Sequence, residues 1–305
     1  MKVAKVQFLK IKKKYLNFLK KQEILGEPFY NKMQQLNSFY LPICGSIYKE
    51  YLNSKKTKII GLSGGQGSGK STIAKILKII LETKYNLNTI IFSIDDFYKT
   101  LKQRKIMGKK IHKLFLTRGV PGTHDMKILL SIIKKIKKKS FKPILIPKFD
   151  KTVDDRLPVY KWAKINKKPD IVIFEGWCVG SKARNNVTLL NPLNPLERNE
   201  DSKLTWRKKI NNELKTSYKK IFKFIDKLIF LKVPSFHYVL KWRLLQEKKL
   251  RLKSRNKKKI MNEKQIKKFV MHYERITKNM LTDLLKSNIV VEIDKKHRLS
   301  SIKFN

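Results

Sequence analysis

The chain has 305 residues, 41% of them hydrophobic and distributed along its whole length, which is enough to bury a sizeable core and excludes a disordered polycation. Its formal net charge is +49, from 72 Lys+Arg against 23 Asp+Glu. Such a field favours anionic partners, but the excess is mostly lysine, is gathered into no nucleic-acid-binding motif, and accompanies abundant Ile and Asn, which fits a coding bias better than a built nucleic-acid face.

The first residues, MKVAKVQFLKIKKKYLNFLKK, are basic with apolar positions at helical spacing. They lack a continuous apolar run and a small-residue cleavage site, so they read as a surface helix and not as a secretory signal. With no apolar stretch long enough to span a membrane and only two cysteines, Cys44 and Cys178, a reducing cytoplasmic location is expected. Residues 1–56 are expected to form a helical extension that packs on the body through Leu16, Phe18, Leu19, Phe29, Tyr30 and Tyr40. Residues 57–305 read as one α/β domain. Short apolar runs at 58–62, 89–94, 143–147, 170–174, 227–231 and 288–293 predict strands. Helical spacing predicts helices at 70–84, 125–138, 203–224, 235–256 and 263–285, with 181–200 a loop. This alternation implies a mostly parallel sheet with helices on both faces.

Gly64, Gly65, Gln66, Gly67, Ser68, Gly69, Lys70 and Ser71 match G-x-x-x-x-G-K-[ST] between a strand and a helix. Backbone N–H groups of such a turn point at phosphate oxygens, and the helix that continues through Thr72 offers its positive end. Lys70 is expected at the β- and γ-phosphates and the Ser71 hydroxyl on Mg²⁺, which makes ATP and Mg²⁺ the expected cofactors. The motif says nucleoside triphosphate and leaves the reaction open.

The acceptor side is expected where strands end. Asp95 and Asp96 follow the second strand, and a kinase needs a carboxylate there to take the proton of the attacking hydroxyl or to position Mg²⁺; the alternative is a pair capping the next helix. Glu175 closes the buried run 170–174 and is expected near the metal. Two polar stretches, Arg118 with Thr123, His124 and Asp125, and Lys148, Phe149, Asp150 and Lys151 leading through Asp154 and Asp155 to Arg156, bring cations that suit a substrate carboxylate, or else are capped turns. Tyr98 is placed with the substrate set, while Cys178, Phe269 and Tyr273 read as packing residues.

GLSGGQGSGKST, SIDDFY, RGVPGTHD, IPKFDK with DDR, DIVIFEGWCVG and KWRLLQEKKLR occur in the order seen in D-glycerate 3-kinases of plant and cyanobacterial type. Over roughly 57–285 the chain resembles that family and, more widely, the uridine kinase, phosphoribulokinase and pantothenate kinase group. The resemblance implies a P-loop three-layer sandwich with a basic helical lid and transfer of phosphate from ATP to D-glycerate. It also implies Asp95 as base, Phe149 and Asp150 on the substrate, and a lid at about 235–262 with Arg243 and Arg251. Gly65, where family members usually carry another residue, and the glycine-free segment 151–155 depart from the pattern. A kinase with another small acceptor is the second reading, and a nucleic-acid-binding P-loop protein a third. Oligomeric state is not legible.

Overall fold

The computed structural model describes the backbone of residues 2–23, 28–253 and 261–305 and the side chains of 5–23, 28–248 and 261–305. Three helices lead: α1 (Lys2–Glu23), α2 (Lys32–Gln35) and α3 (Leu41–Leu52). β1 (Lys58–Gly64), α4 (Lys70–Lys84) and β2 (Thr89–Ser93) follow, then α5 (Leu101–Lys110) and α6 (Met126–Lys137). Four short strands come next: β3 (Ile144–Ile146), β4 (Phe149–Asp150), β5 (Asp155–Arg156) and β6 (Ala163–Ile165). The chain continues through β7 (Ile171–Gly176), α7 (Pro195–Glu200), α8 (Thr205–Glu213), α9 (Lys219–Phe222), β8 (Lys227–Lys232), α10 (Phe236–Lys253), α11 (Glu263–Asp283), β9 (Ile289–Ile293) and β10 (Leu299–Phe304).

The main sheet runs β10-β9-β8-β1-β7-β2. All its neighbours are parallel except β9 and β10. Parallel strands covered on both faces read as continuous apolar runs, which is why the IVIF of β7 is entirely buried. Along it the side chains alternate: Ile171 and Ile173 join the core shared with α1, α3 and α4, whereas Val172 and Phe174 join the core with α6, α8 and α11. The result is the expected three-layer sandwich. No helix among the described residues is long and apolar enough to cross a membrane.

The leading helices are continuous with this body. Ile11, Tyr15 and Leu19 recur every fourth residue and are all but inaccessible, packed in the core that contains Ile73, Leu77 and Ile80 of α4. Each such side chain contributes about 1.5–3 kcal/mol when buried. Polar stitches accompany them: Gln7 Nε2 donates to the Lys84 carbonyl at 2.6 Å, and Tyr51 to Asp170 at 2.9 Å. Tyr30, expected in this contact, is 62% exposed instead, because it precedes Asn31, whose left-handed φ of 50° turns the chain into α2.

Further segments differ from the sequence reading, among them α5 and β6, for which no element was expected. Residues 144–146 form a strand, but it pairs with β6 outside the main sheet. The expected loop at 181–200 ends in α7, whose start carries Asn194 as cap and proline at the first turn, a signal present in the sequence. The helix at 203–224 is interrupted by a π-turn at Leu214–Tyr218. β10 was missed because an antiparallel edge strand with polar alternate positions carries little periodic signal. Of the segment expected as a lid, α10 is helical, while residues 254–260 and the side chain of Arg251 lie outside the described residues.

Candidate active site

Strand register sets the site. Leu62 of β1 is level with Glu175 of β7, and Glu175 with Ser93 of β2. The turn after β1 and the turn after β2 therefore emerge at the same carboxyl edge, where open α/β sheets bind ligands. β7 lies between them, which puts Glu175 between the P-loop and Asp95. The three elements open onto one cleft of about 330 Å³, lined by Gln66, Gly67, Lys70 and Ser71 at one end and by Asp95, Asp96, Tyr98, Arg118, Phe149 and Lys151 at the other. A second void of about 30 Å³, walled by Trp206 and Arg207, shares no lining residue with it and has room for about one water.

At the P-loop end, Gly67 and Gly69 take positive φ values of 77° and 83°, and α4 begins at Lys70. Lys70 Nζ donates to the carbonyls of Gly64 at 2.8 Å and Gly65 at 2.9 Å. Burial pulls its pKa below the ordinary lysine value, opposed by Glu175 and Asp95. Burial raises the Glu175 carboxyl, opposed by Lys70 and by the Ser71 hydroxyl, which donates to Glu175 Oε1 at 3.0 Å. Two observations fit a magnesium nucleotide here. The Ser68 hydroxyl is buried in the loop with no hydrogen-bond partner among the described residues, and a hydroxyl and a carboxylate, both hard oxygen donors, stand side by side at Ser71 and Glu175. α10 leans on the loop from outside: a Cβ at Gly65 would come within 2.8 Å of Val239, and one at Gly67 within 2.9 Å of Trp242. That contact accounts for glycine at 65, the departure noted in the sequence. Arg243, one turn on, lines the cleft, pairs with Glu247 at 2.6 Å and lies over Phe269.

At the other end, Ser93 caps a 3₁₀ turn over Ile94–Phe97 in a reciprocal capping box with Asp96. The capping alternative for Asp96 is thus realised, and its Oδ2 also takes Lys148 at 3.2 Å. Of the three residues expected on the metal, Ser71 and Glu175 are the pair in contact. Asp95 points into the cleft. Its Oδ1 accepts from the Tyr98 hydroxyl at 2.8 Å and its Oδ2 from Lys151 Nζ at 2.7 Å. Burial alone would raise this carboxyl, but Lys151, by charge and hydrogen bond, and the Tyr98 hydroxyl overcome it and hold the pKa down at about 2.

Several residues expected on the substrate stand behind the wall. Thr123 is fully buried, its hydroxyl accepting from Gly119 N and donating to the Val120 carbonyl. His124 is buried, stacked under Tyr98 and hydrogen-bonded through Nδ1 to the Tyr218 hydroxyl; burial drives its pKa down to about 3, so it is neutral. Asp125 caps α6, and Arg156 binds the Tyr98 carbonyl and Asp125. The Asp150 carboxylate accepts from Thr152 within its own turn. These five do not line the cleft: Thr123, Asp125, Asp150 and Arg156 bond within or between turns, and His124 is held between Tyr98 and Tyr218. Thr72, third in α4, lies beyond the lining as well.

The sequence reading passed over Trp177, Phe269 and Tyr273 as site-lining residues; Lys151 lies in the stretch whose cations were expected on a substrate carboxylate, and Gln246 in the expected lid. Tyr273 shows why. Its spacing on α11 correctly marks a buried face, but its hydroxyl crosses to donate to the Arg118 carbonyl at 2.9 Å. The contact needs Gly119 at a φ of 128°, since a Cβ there would fall within 1.9 Å of that hydroxyl. Periodicity tells which face is covered and not what covers it.

Comparison with known proteins agrees with this geometry. The phosphoribulokinase/uridine kinase family model matches residues 59–242. The chain is 35% identical over 223 residues to the uncharacterized kinase mug58 of Schizosaccharomyces pombe, covering 70% of this chain and 78% of that one. It is 28% identical over 226 residues to the chloroplastic D-glycerate 3-kinase of Arabidopsis thaliana, covering 70% of this chain and 46% of that protein. A structure of D-glycerate 3-kinase from Cryptococcus neoformans superposes with a TM-score of 0.73 at 21% identity, over 88% of this chain and 99% of that one, a likeness of fold. The chain belongs to the phosphoribulokinase/uridine kinase family of P-loop kinases.

Proposed function

We propose that this kinase transfers the terminal phosphoryl group of ATP to a hydroxyl of a small hydroxy acid, with D-glycerate giving 3-phosphoglycerate as the first choice. The observation that carries the reading is Asp95, a carboxylate aimed into the same cleft as Lys70 with Glu175 between them. The Arabidopsis relative of that name supports the acceptor. So does the chemistry of the acceptor end, where Lys151 and Arg118 offer cations to an acid.

In this reading the P-loop amides and Lys70 hold the phosphates and spread the charge that develops on the transferred group. Magnesium, when bound, would neutralise phosphate charge, and Ser71 and Glu175 are the residues that would hold it. Asp95 takes the proton of the acceptor hydroxyl as its oxygen bonds to phosphorus and the bond to the β-phosphate oxygen breaks. Arg243 closes the cleft from α10. The test is an acceptor screen by coupled ADP release with product identification, which separates 3- from 2-phosphoglycerate. Release with uridine or pantothenate, and none above background with D-glycerate, overturns the acceptor assignment.

A further inference from the structure

The acceptor end is built from groups of unequal freedom. The β4–β5 hairpin forms its outer rim, and the far side of its turn and its base are anchored. Asp154 is held by Arg118 and by Arg104, whose side chain is completely buried and also donates to the Leu116 carbonyl. Asp155 accepts from Leu101 N at 2.9 Å, and Leu157 N donates back to the Lys148 carbonyl. Lys148 itself is taken by Asp96. Arg118 lies over the Phe149 ring, which holds the guanidinium flat. Lys151 stands apart. It sits at the tip of the hairpin, its side chain is 61% exposed, and its ammonium reaches inward onto Asp95 Oδ2.

An acceptor hydroxyl must approach that same carboxylate to lose its proton. We propose that Lys151 is an exchangeable carboxylate clamp: it rests on Asp95 and passes to the carboxylate of an incoming acid acceptor, and the passage both selects an anionic acceptor and frees Asp95 to act as base. The proposal rests on that kinase reading and adds the residue and the exchange by which an acid is selected. The exchange conserves charge within the cleft. One ammonium leaves one carboxylate for another, so a neutral acceptor has nothing to offer in return.

The electrostatics agree. With Lys151 in place Asp95 is held at about 2, far below the range in which a carboxylate is an effective proton acceptor at neutral pH. Lys151 and the Tyr98 hydroxyl lower it, and neutral His124 lies beneath Tyr98. Lys70 of α4 and Glu175 of β7 face it from the P-loop side, and Cys178 and Tyr273 complete its surroundings. Lys151 is the member of this set whose side chain stands mostly in solvent, so it can move without unpacking the core. Atoms balance in the step that follows. The acceptor oxygen forms the new bond to phosphorus, its proton passes to Asp95 Oδ2, and ADP departs with the electrons of the broken P–O bond.

The experiment uses the full chain, wild type and Lys151→Gln, with Lys151→Arg as the conservative control, assayed for ADP release with D-glycerate and with glycerol, its uncharged analogue. Loss of a charge-assisted contact corresponds to roughly a 10- to 100-fold rise in KM for the acid. Lys151→Gln is expected to show that rise for the acid while kcat with glycerol increases, since Asp95 is no longer held, and Lys151→Arg to restore most of both. In the wild type the acid limb of kcat should lie above that of kcat/KM, because Lys151 has left Asp95 only in the ternary complex; in Lys151→Gln the two limbs should merge. A KM for the acid within twofold of wild type in Lys151→Gln, or wild-type preference for a neutral acceptor such as uridine, overturns the clamp. If the wild type prefers another carboxylic acid to D-glycerate, the acceptor assignment fails, while the same KM loss in Lys151→Gln with that acid upholds the clamp.

Discussion

The two ends of the cleft are made by different means. At the nucleotide end, recognition is backbone geometry: consecutive residues, glycines at positive φ, and the start of one helix. At the acceptor end it is side-chain convergence, with Asp95 after β2, Arg118 from the α5–α6 connection, Lys151 from the hairpin and Tyr273 from α11. The first kind of site is compact in sequence and rigid. The second is dispersed and owes its shape to turns, each of which needs its own polar residues.

The largest expected effect falls at the meeting point of the two ends. Asp95→Asn should lower kcat by ~10²–10⁴ while ATP affinity, measured by nucleotide titration, stays nearly unchanged; wild-type turnover would remove Asp95 from the mechanism. Next, Arg104→Met should strip the hairpin of its buried anchor. A cost of about 2–4 kcal/mol follows from orphaning the carbonyls of Lys99, Leu116 and Asp154 that Arg104 binds, while Arg118 still holds the Asp154 carboxylate. Denaturant melts would report it, and KM for the acceptor should rise with KM for ATP little altered. Equal loss at both substrates would erase the distinction between the ends. On the nucleotide side, Gly65→Ala should cost about 1–3 kcal/mol by pressing a methyl against Val239, and here ATP affinity should fall while acceptor KM does not.

The smallest effect is expected from Tyr98→Phe, which removes one of the hydrogen bonds that keep the Asp95 carboxyl low. A depressed carboxyl stabilises the fold above its unfolded pKa of about 3.9, and that contribution is lost as pH falls from there toward about 2. Tyr98→Phe raises the folded value, so the loss should span a narrower window, and acid titration of the two proteins by circular dichroism would show it. An identical profile would mean that Lys151 alone sets the charge state.

The same contrast governs what was readable from the sequence. Lys70–Lys84 matches its expected helix end to end, and β1, β7 and β8 lie where their apolar runs placed them, because burial on both faces leaves no ambiguity of period. The polar stretches around 118–125 and 149–156 were legible as special, but not as to which members face the cleft. Thr123, Asp125 and Arg156 serve the turns, while Arg118 and Phe149 reach the ligand side. A turn and a binding site draw on the same residue types, and only the tertiary path of the chain tells them apart. Lys151 is the sharpest case: its stretch was legible as a source of cations for a carboxylate, but its place on Asp95 appears only when the hairpin folds.

The helices that precede β1 bear on a different matter. Ile11, Tyr15 and Leu19 shield the outer flank of α4, whose opposite tip is the phosphate cradle. Trimming the polypeptide back to Thr57 would bare an oily strip along that flank, inviting self-association and slackening the rod on which Lys70 is mounted. What looks like a leader in the primary structure thus behaves as a splint for the catalytic helix.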